Sequence, residues 1–250
     1  MQHVVNGHTF YAPDNDHIGK YLALGVYYEA DLLAAIKALK LAPGVYIDGG
    51  ACLGTHSVFF AKECGATMVV AVEPNPEALR YLRYNVNGLP VAVLNMCLSD
   101  GLYCTVDKGP SGNLGTATTR AVQLHAGSDA GITVIDAQGG SSRSQVGSDD
   151  LKVECTTIDA LGEYSRISLI KLDIEGKEVE ALRGARRTIA IHKPVIVTEA
   201  HTDADLLAIG NILQGQWGYL RSRRYCKTPT YIWVHSDTSF ALSKSLGLEA

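Results

Sequence analysis

The chain has 250 residues, 46% of them hydrophobic and 19% charged, enough for one large α/β domain with a filled core. That composition excludes a disordered or fibrous chain, and the net charge of −4 argues against a general polyanion-binding role, nucleic acid included. No apolar run approaches the roughly 20 residues that a membrane span requires.

In chain order, residues 4–11 alternate like a short strand hairpinned through Asn6-Gly7-His8. Leu32, Leu33, Ile36 and Leu39 share one face of a helix predicted over 29–41, ended by Pro43-Gly44. A regular alternation follows. Strands are predicted at 45–50, 67–74, 91–98, 167–174 and 194–200, with helices at 55–64, 76 to about 87, after 174 to about 191, and 203–214. Residues 218–226 and 230–235 then form an antiparallel pair around Lys227-Thr228-Pro229. Continuous Val/Ile runs separated by helices imply a parallel sheet covered on both faces. The expected architecture is therefore α/β, a doubly wound, mostly parallel sheet with an antiparallel C-terminal edge pair. One domain over 1–250 is expected, with 1–44 as an N-terminal strand and helix cap.

Residues 102–150 interrupt the alternation, with strand-like pieces near 102–106, 115–122 and 131–136. The stretch 137–150 has little apolar content and reads as a mobile loop. An insertion at this place would lie over the ligand face, as a lid, a substrate-selecting element or a tolerated surface excursion. Six cysteines (Cys52, Cys64, Cys97, Cys104, Cys155 and Cys226) lack CxxC or metal-ligand spacing. With an N-terminus that shows no secretory pattern, they predict reduced thiols in a cytoplasmic protein.

The ligands of doubly wound sheets bind beyond the carboxyl ends of the strands. There the first strand ends in Asp48 and turns through Gly49, Gly50, Ala51 and Gly54 into a helix, letting a ligand approach the backbone closely. Glu73 closes the second strand, where a carboxylate can accept both hydroxyls of an adenosine ribose. Pro74 and Asn75 form the turn into the next helix. A pyrophosphate would meet Asp48 unfavourably, whereas the cationic amino group of a methionine moiety would not. S-adenosyl-L-methionine is thus favoured over NAD.

"DGGACLGTHS", "AVEPNPEALRYLRYNVN", "LSD" and "LIKLDIEGKEVEALRGA", in this order and spacing, resemble the FkbM-type S-adenosylmethionine-dependent methyltransferases over roughly 15–215. "TIDAL" (157–161) fits as well, while Cys52 departs from the Asn that the family commonly carries there. The resemblance implies a class I, Rossmann-like methyltransferase fold. It also implies Asp48, Gly50 and Gly54 at the methionine end of the donor, Glu73 at its ribose, and Cys97–Asp100 beside adenine, with Ser99 the preferred contact. The acceptor it implies is a small molecule or glycan: a sugar, a glycan or a specialised metabolite methylated on a hydroxyl oxygen.

Two acid-bearing strand ends supply candidate chemistry. Asp173 with Glu175, and Glu199 with His201, are spaced by two, so each pair shares a side while the strand lasts. Asp173 is expected at the pocket floor, as general base or as ligand for the donor's amino group or a metal. His201 suits a base because imidazole titrates near neutrality. Asp173 and Glu199 together could hold Mg²⁺. Glu180 reads as helix start-up, Glu178 stays open, and Lys171 is a partner for either acid. Arg221, Arg223, Arg224 and Lys227 guard a sheet edge or recognise an anionic group. His17, Tyr27, Tyr28 and Glu29 precede the core and are candidates to cover donor or acceptor. An NAD-dependent oxidoreductase and a catalytically silent S-adenosylmethionine-binding module are the alternatives, and the oligomeric state stays open.

Overall fold

A computed structural model describes residues 1–100, 103–107, 114, 118–124, 132–135, 141–142 and 151–241. In chain order the elements are β1 (Gln2–Val5), β2 (His8–Tyr11), α1 (His17–Ala23), α2 (Ala30–Ala38), β3 (Val45–Gly49), α3 (Thr55–Glu63), β4 (Met68–Val72), α4 (Pro76–Asn85), β5 (Val91–Leu94) and β6 (Cys97–Leu98). They continue as β7 (Tyr103–Asp107), β8 (Thr118–Leu124), β9 (Ile132–Ile135), β10 (Ser141–Ser142), β11 (Leu151–Thr156) and β12 (Ile167–Leu172). The last are α5 (Glu178–Arg183), α6 (Arg186–His192), β13 (Val195–Glu199), α7 (Asp203–Leu213), β14 (Tyr219–Arg221) and β15 (Thr230–His235).

Among the described residues, seven strands form the main sheet in the order β14-β15-β13-β12-β3-β4-β5. β5, β4, β3, β12 and β13 run parallel, and β15 and β14 close the edge antiparallel. Every residue of β3, β12 and β13 is buried, so these strands carry apolar side chains to both faces. Successive residues go to opposite layers. Tyr46, Val69, Leu169 and Val197 join a core with α2, α3 and the N-terminal hairpin, while Ile47, Val70, Ile170 and Ile196 join one with α5, α6 and α7. The hairpin is held to α4 by Asn85, whose amide donates to Tyr11 O (3.0 Å) and Leu53 O (2.8 Å). No helix among the described residues is long and apolar enough to cross a membrane.

Several boundaries differ from the sequence reading. The run 91–98 is two strands, not one: Asn95 donates to Glu73 O and Pro74 O at 3.1 and 3.0 Å, and β6 leaves the main sheet to pair parallel with β11. β11 was not predicted, although Leu151–Thr156 alternates apolar and polar residues as a strand does. It belongs to a second sheet, β10-β9-β8-β7-β11-β6, which is otherwise antiparallel and contains the three strand-like pieces read in the interruption. The predicted mobile loop at 137–150, apart from β10, lies outside the described residues, as does most of the proposed lid. α1 was not anticipated either. Its Asp16 cap accepts from Ile18 N (2.9 Å) and Gly19 N (3.1 Å). The helix after β12 breaks into α5 and α6, and Asp159 accepts from Arg187 N (2.9 Å) and Thr188 N (2.8 Å) at the start of the second.

One cysteine expectation is corrected. Cys52, Cys64, Cys97 and Cys226 are free thiols, but Cys155 is disulfide-bonded. The antiparallel second sheet, invisible in the cysteine spacing, sets Cys155 among paired strands.

Candidate functional site

The carboxyl ends of β3, β4, β12 and β13 open on a cavity of about 1020 Å³. On one side lies the loop from β3 into α3. Gly50, Cys52 and Gly54 have φ of 71°, 48° and 79°, which bends the chain back under the cavity. A Cβ on Gly50 would stand 1.7 Å from Asp173 O, so the two strand ends approach as only glycine allows. Cys52 holds the same left-handed backbone without that freedom. Its amide gains a partner by doing so: Glu73 Oε2 accepts from Cys52 N at 2.8 Å, and Glu73 Oε1 from Asn75 N at 2.8 Å. Glu73 is 5% exposed, and burial pushes its carboxyl up to about 7 against the pull of those amides. Gly50, Ala51, Glu73 and Pro74 line the cavity.

The other predicted donor residues stand behind this wall. Asp48 is fully buried beneath the loop, its Oδ2 accepting from Ser57 Oγ at 2.6 Å and its Oδ1 lying 3.3 Å from Lys171 Nζ. Gly49, Gly54 and Asn75 sit in the supporting layer; Asn75 caps α4, accepting from Glu77 N at 3.0 Å. Ser99 is buried with its amide on Thr156 O (3.0 Å), and its neighbours Met96, Cys97 and Leu98 form the wall.

Lys171 ties the two sides together. Its buried ammonium is 3.3 Å from Asp48 Oδ1, 3.3 Å from Asp173 Oδ2 and 3.4 Å from Gly49 O. Burial works against the charge, but Asp173 and Asp48 outweigh it and hold the ammonium above its ordinary range. Burial likewise opposes ionisation of Asp173, yet Lys171 and His56 hold its carboxyl below the usual range. Glu199 goes the other way. Burial and the Asp173 charge push it up to about 9, so it keeps a proton and shares it with Asp173.

All four predicted catalytic residues face the cavity. His201 Nε2 lies 3.1 Å from Glu199 Oε2 and 3.6 Å from Glu175 Oε2. Donor atoms of these three residues fall within 4.8 Å of one another, a spacing compatible with a metal ion. Burial and the Asp173 charge raise the Glu175 carboxyl. Glu178 resolves as a turn-closing acid: it is buried and accepts from Ile174 N at 2.9 Å, and burial pushes it up to about 7. Glu180 pairs with Lys177 at 3.1 Å on the helix.

The far wall comes from the chain termini. His17, Tyr27, Tyr28 and Glu29 line the cavity, as does Lys227, the member of the basic run that reaches it. Arg221 and Arg223 lie over the rings of Tyr231 and Tyr225 at 5.3 and 5.0 Å. His56 was missed by sequence reasoning. It lines the cavity, 3.6 Å from Glu29, with the Tyr28 ring stacked 6.4 Å away. Its available signal was its place in the first turn of α3, directly after the glycine loop.

A family model described as "Methyltransferase FkbM domain" matches residues 48–225. Among curated proteins none matches the chain. A solved methyltransferase FkbM from Methylobacillus flagellatus KT is 22% identical, with a TM-score of 0.49, over 76% of this chain and 43% of that one. This chain thus spans less than half of that relative's length. A precorrin-6y C5,15-methyltransferase from Geobacter metallireducens GS-15 is 16% identical (TM-score 0.45, 83% and 89% covered). A human methyltransferase 10 domain containing protein is 13% identical (TM-score 0.44, 83% and 81% covered).

Proposed function

Because the chain belongs to the FkbM methyltransferase family, we propose that it moves a methyl group from S-adenosylmethionine to a hydroxyl oxygen of a small molecule or glycan. The observation that carries this reading is the carboxylate of Glu73 on the cavity wall beside a glycine loop whose floor is Asp48, Lys171 and Asp173. Such a floor opposes a pyrophosphate and tolerates a cationic donor.

The donor's ribose hydroxyls would sit on Glu73, its adenine against Met96–Leu98, and its methionine end above Gly50–Cys52. When bound, the donor supplies an electrophilic methyl group. The protein's part is alignment, because in-line displacement depends on holding oxygen, carbon and sulfur in a line. Asp173 is ionised, faces the cavity and is braced by Lys171. It is the group that would take the acceptor's proton, while Glu175, Glu199 and His201 would hold the acceptor oxygen. Tyr28 and His17 would press on the acceptor from the opposite wall. A sugar, a glycan or a specialised metabolite fits a cavity walled by both aromatic rings and carboxylates.

Calorimetric titration of the full chain with S-adenosylmethionine and, separately, NAD tests the reading. Saturable binding of the sulfonium donor with none of NAD is expected. Preferential binding of NAD would overturn it in favour of an oxidoreductase. Donor binding without transfer of labelled methyl to any acceptor extract would favour a silent binding module.

A further inference from the structure

We infer that Glu175, Glu199 and His201 form a binding site for one divalent first-row transition-metal ion at the acceptor end of the cavity. The donor atoms converge from three separately anchored positions. Glu199 ends β13, where its backbone is in register with Thr230 of β15. His201 precedes Thr202, whose capping box with Asp205 (Asp205 N to Thr202 Oγ1, 3.1 Å) fixes the start of α7. Glu175 holds a left-handed backbone, φ 55°, in the turn after β12. Side chains mounted in this way bring their donor atoms together with little freedom left to lose.

Two of the three spacings come close to those of a coordination shell. Bonds of about 2.1 Å to nitrogen and oxygen place neighbouring ligand atoms about 3.0 Å apart in an octahedron and about 3.4 Å apart in a tetrahedron. His201 Nε2 is 3.1 Å from Glu199 Oε2 and 3.6 Å from Glu175 Oε2, and the three donor atoms lie within 4.8 Å of each other.

A second observation concerns Glu199 alone. The residue is 7% exposed, and its Oε2 is shielded from solvent yet receives no hydrogen bond. The 3.1 Å approach of His201 Nε2 therefore does not satisfy it by a directed N–H. A buried carboxyl oxygen left without a donor is costly. An ion between it and the imidazole nitrogen would complete both, and its binding would release the proton that Glu199 otherwise shares with Asp173. Two carboxylates with an imidazole suit Mn²⁺, Fe²⁺, Co²⁺ or Zn²⁺ better than Mg²⁺ or Ca²⁺, which prefer all-oxygen shells.

Three protein ligands leave coordination positions open toward the cavity. Use of those positions by the acceptor hydroxyl rests on the methyl-transfer reading; ion binding does not. With the hydroxyl bound there, its proton is lost more readily and passes to Asp173. An oxygen lone pair then forms the new O–C bond while the S–C pair returns to sulfur, leaving a neutral thioether.

The test uses chelator-stripped full-length protein titrated with CoCl₂ and followed by visible absorption. One Co²⁺ per chain with a ligand-field spectrum is expected. His201→Ala and Glu175→Gln are each expected to weaken binding by about tenfold or more; both positions are partly exposed, and circular dichroism checks that the variants fold. No saturable binding below ~1 mM, or wild-type affinity in His201→Ala, would overturn the site. Donor calorimetry in chelator separates the two readings. Donor binding without Co²⁺ binding removes the metal site alone, and Co²⁺ binding without donor binding removes the methyl-transfer reading alone.

Discussion

On the β3–β4 side of the cavity the chain presents mainly backbone: a loop with three residues at positive φ, and amides directed at the single carboxylate of Glu73. On the β12–β13 side it presents side chains, with Asp173, Glu175, Glu199 and His201 gathered at two strand ends. The first side is built from residues close in sequence and fixes a shape. The second depends on charges balanced across segments far apart in the chain, down to the pairing of His56 with Glu29. Backbone recognition is rigid and tolerant of surroundings. A charge cluster is tunable, and it fails when one member is removed.

Lys171 belongs to both sides, so its loss should do the most damage. Lys171→Met leaves Asp48 buried without its counter-ion and Asp173 without its brace. Breaking a buried pair in this way costs about 3–5 kcal/mol. Chemical denaturation should show that loss, and donor binding and turnover should fall together. A variant as stable as the wild type would mean that the two sides are not joined through this ammonium.

Gly50→Ala strains the comparison from the backbone side. Its Cβ would fall 1.7 Å from Asp173 O, at a φ of 71° that L-residues rarely hold. The loop must shift, and a loss near the top of the usual range, about 3 kcal/mol, is expected. Calorimetry should find donor affinity reduced more than Co²⁺ affinity, since the loop would hold the donor directly, whereas of the three ligands Glu175 alone follows the Asp173-Ile174 turn that the new Cβ meets. Equal losses in both would show that the sides are not independent.

The same contrast explains what the sequence disclosed. The main sheet was legible because strands buried on both faces are apolar over most of their length, and in β3, β12 and β13 the charged residues Asp48, Lys171 and Glu199 come only toward the carboxyl ends. The place of Glu73 on the cavity wall was legible because the carboxyl end of a parallel strand opens on the ligand side of such a sheet. The break at Asn95 was not, since the run 91–98 keeps one composition while a side-chain amide holding two carbonyls decides the path. β11 does alternate, Leu151, Val153 and Cys155 against Lys152, Glu154 and Thr156, a strand signal that the sequence reading missed; what no pattern gives is its neighbours β6 and β7, which are set by tertiary pairing. Asp48 was assigned to the ligand from its place in the motif. Its buried contact with Lys171 two strand positions away from Asp173 emerges only when β3 and β12 pair in register, Asp48 beside Lys171. The Glu29–His56 wall joins residues 27 positions apart through a left-handed Glu29, a conformation that no pattern announces.

The smallest expected effect sharpens the donor side. Burial raises the Glu73 carboxyl from 4.5 to about 7. A carboxyl raised on folding adds stability that is full below the unfolded value and is lost as pH rises through the folded one, here between 4.5 and about 7. Donor binding has the opposite sign, because ribose hydroxyls need an ionised acceptor. From pH 8 to pH 6 the ionised fraction of such a group falls about tenfold, so donor affinity should weaken by up to about tenfold over that span. Calorimetry at several pH values measures this, and Glu73→Gln should flatten the profile while binding weakly throughout. Since Glu178 titrates in the same range, the variant comparison is what isolates Glu73. A profile that keeps its slope in Glu73→Gln would move the ribose contact to another group and leave the loop amides of Cys52 and Asn75 holding Glu73 for structure alone.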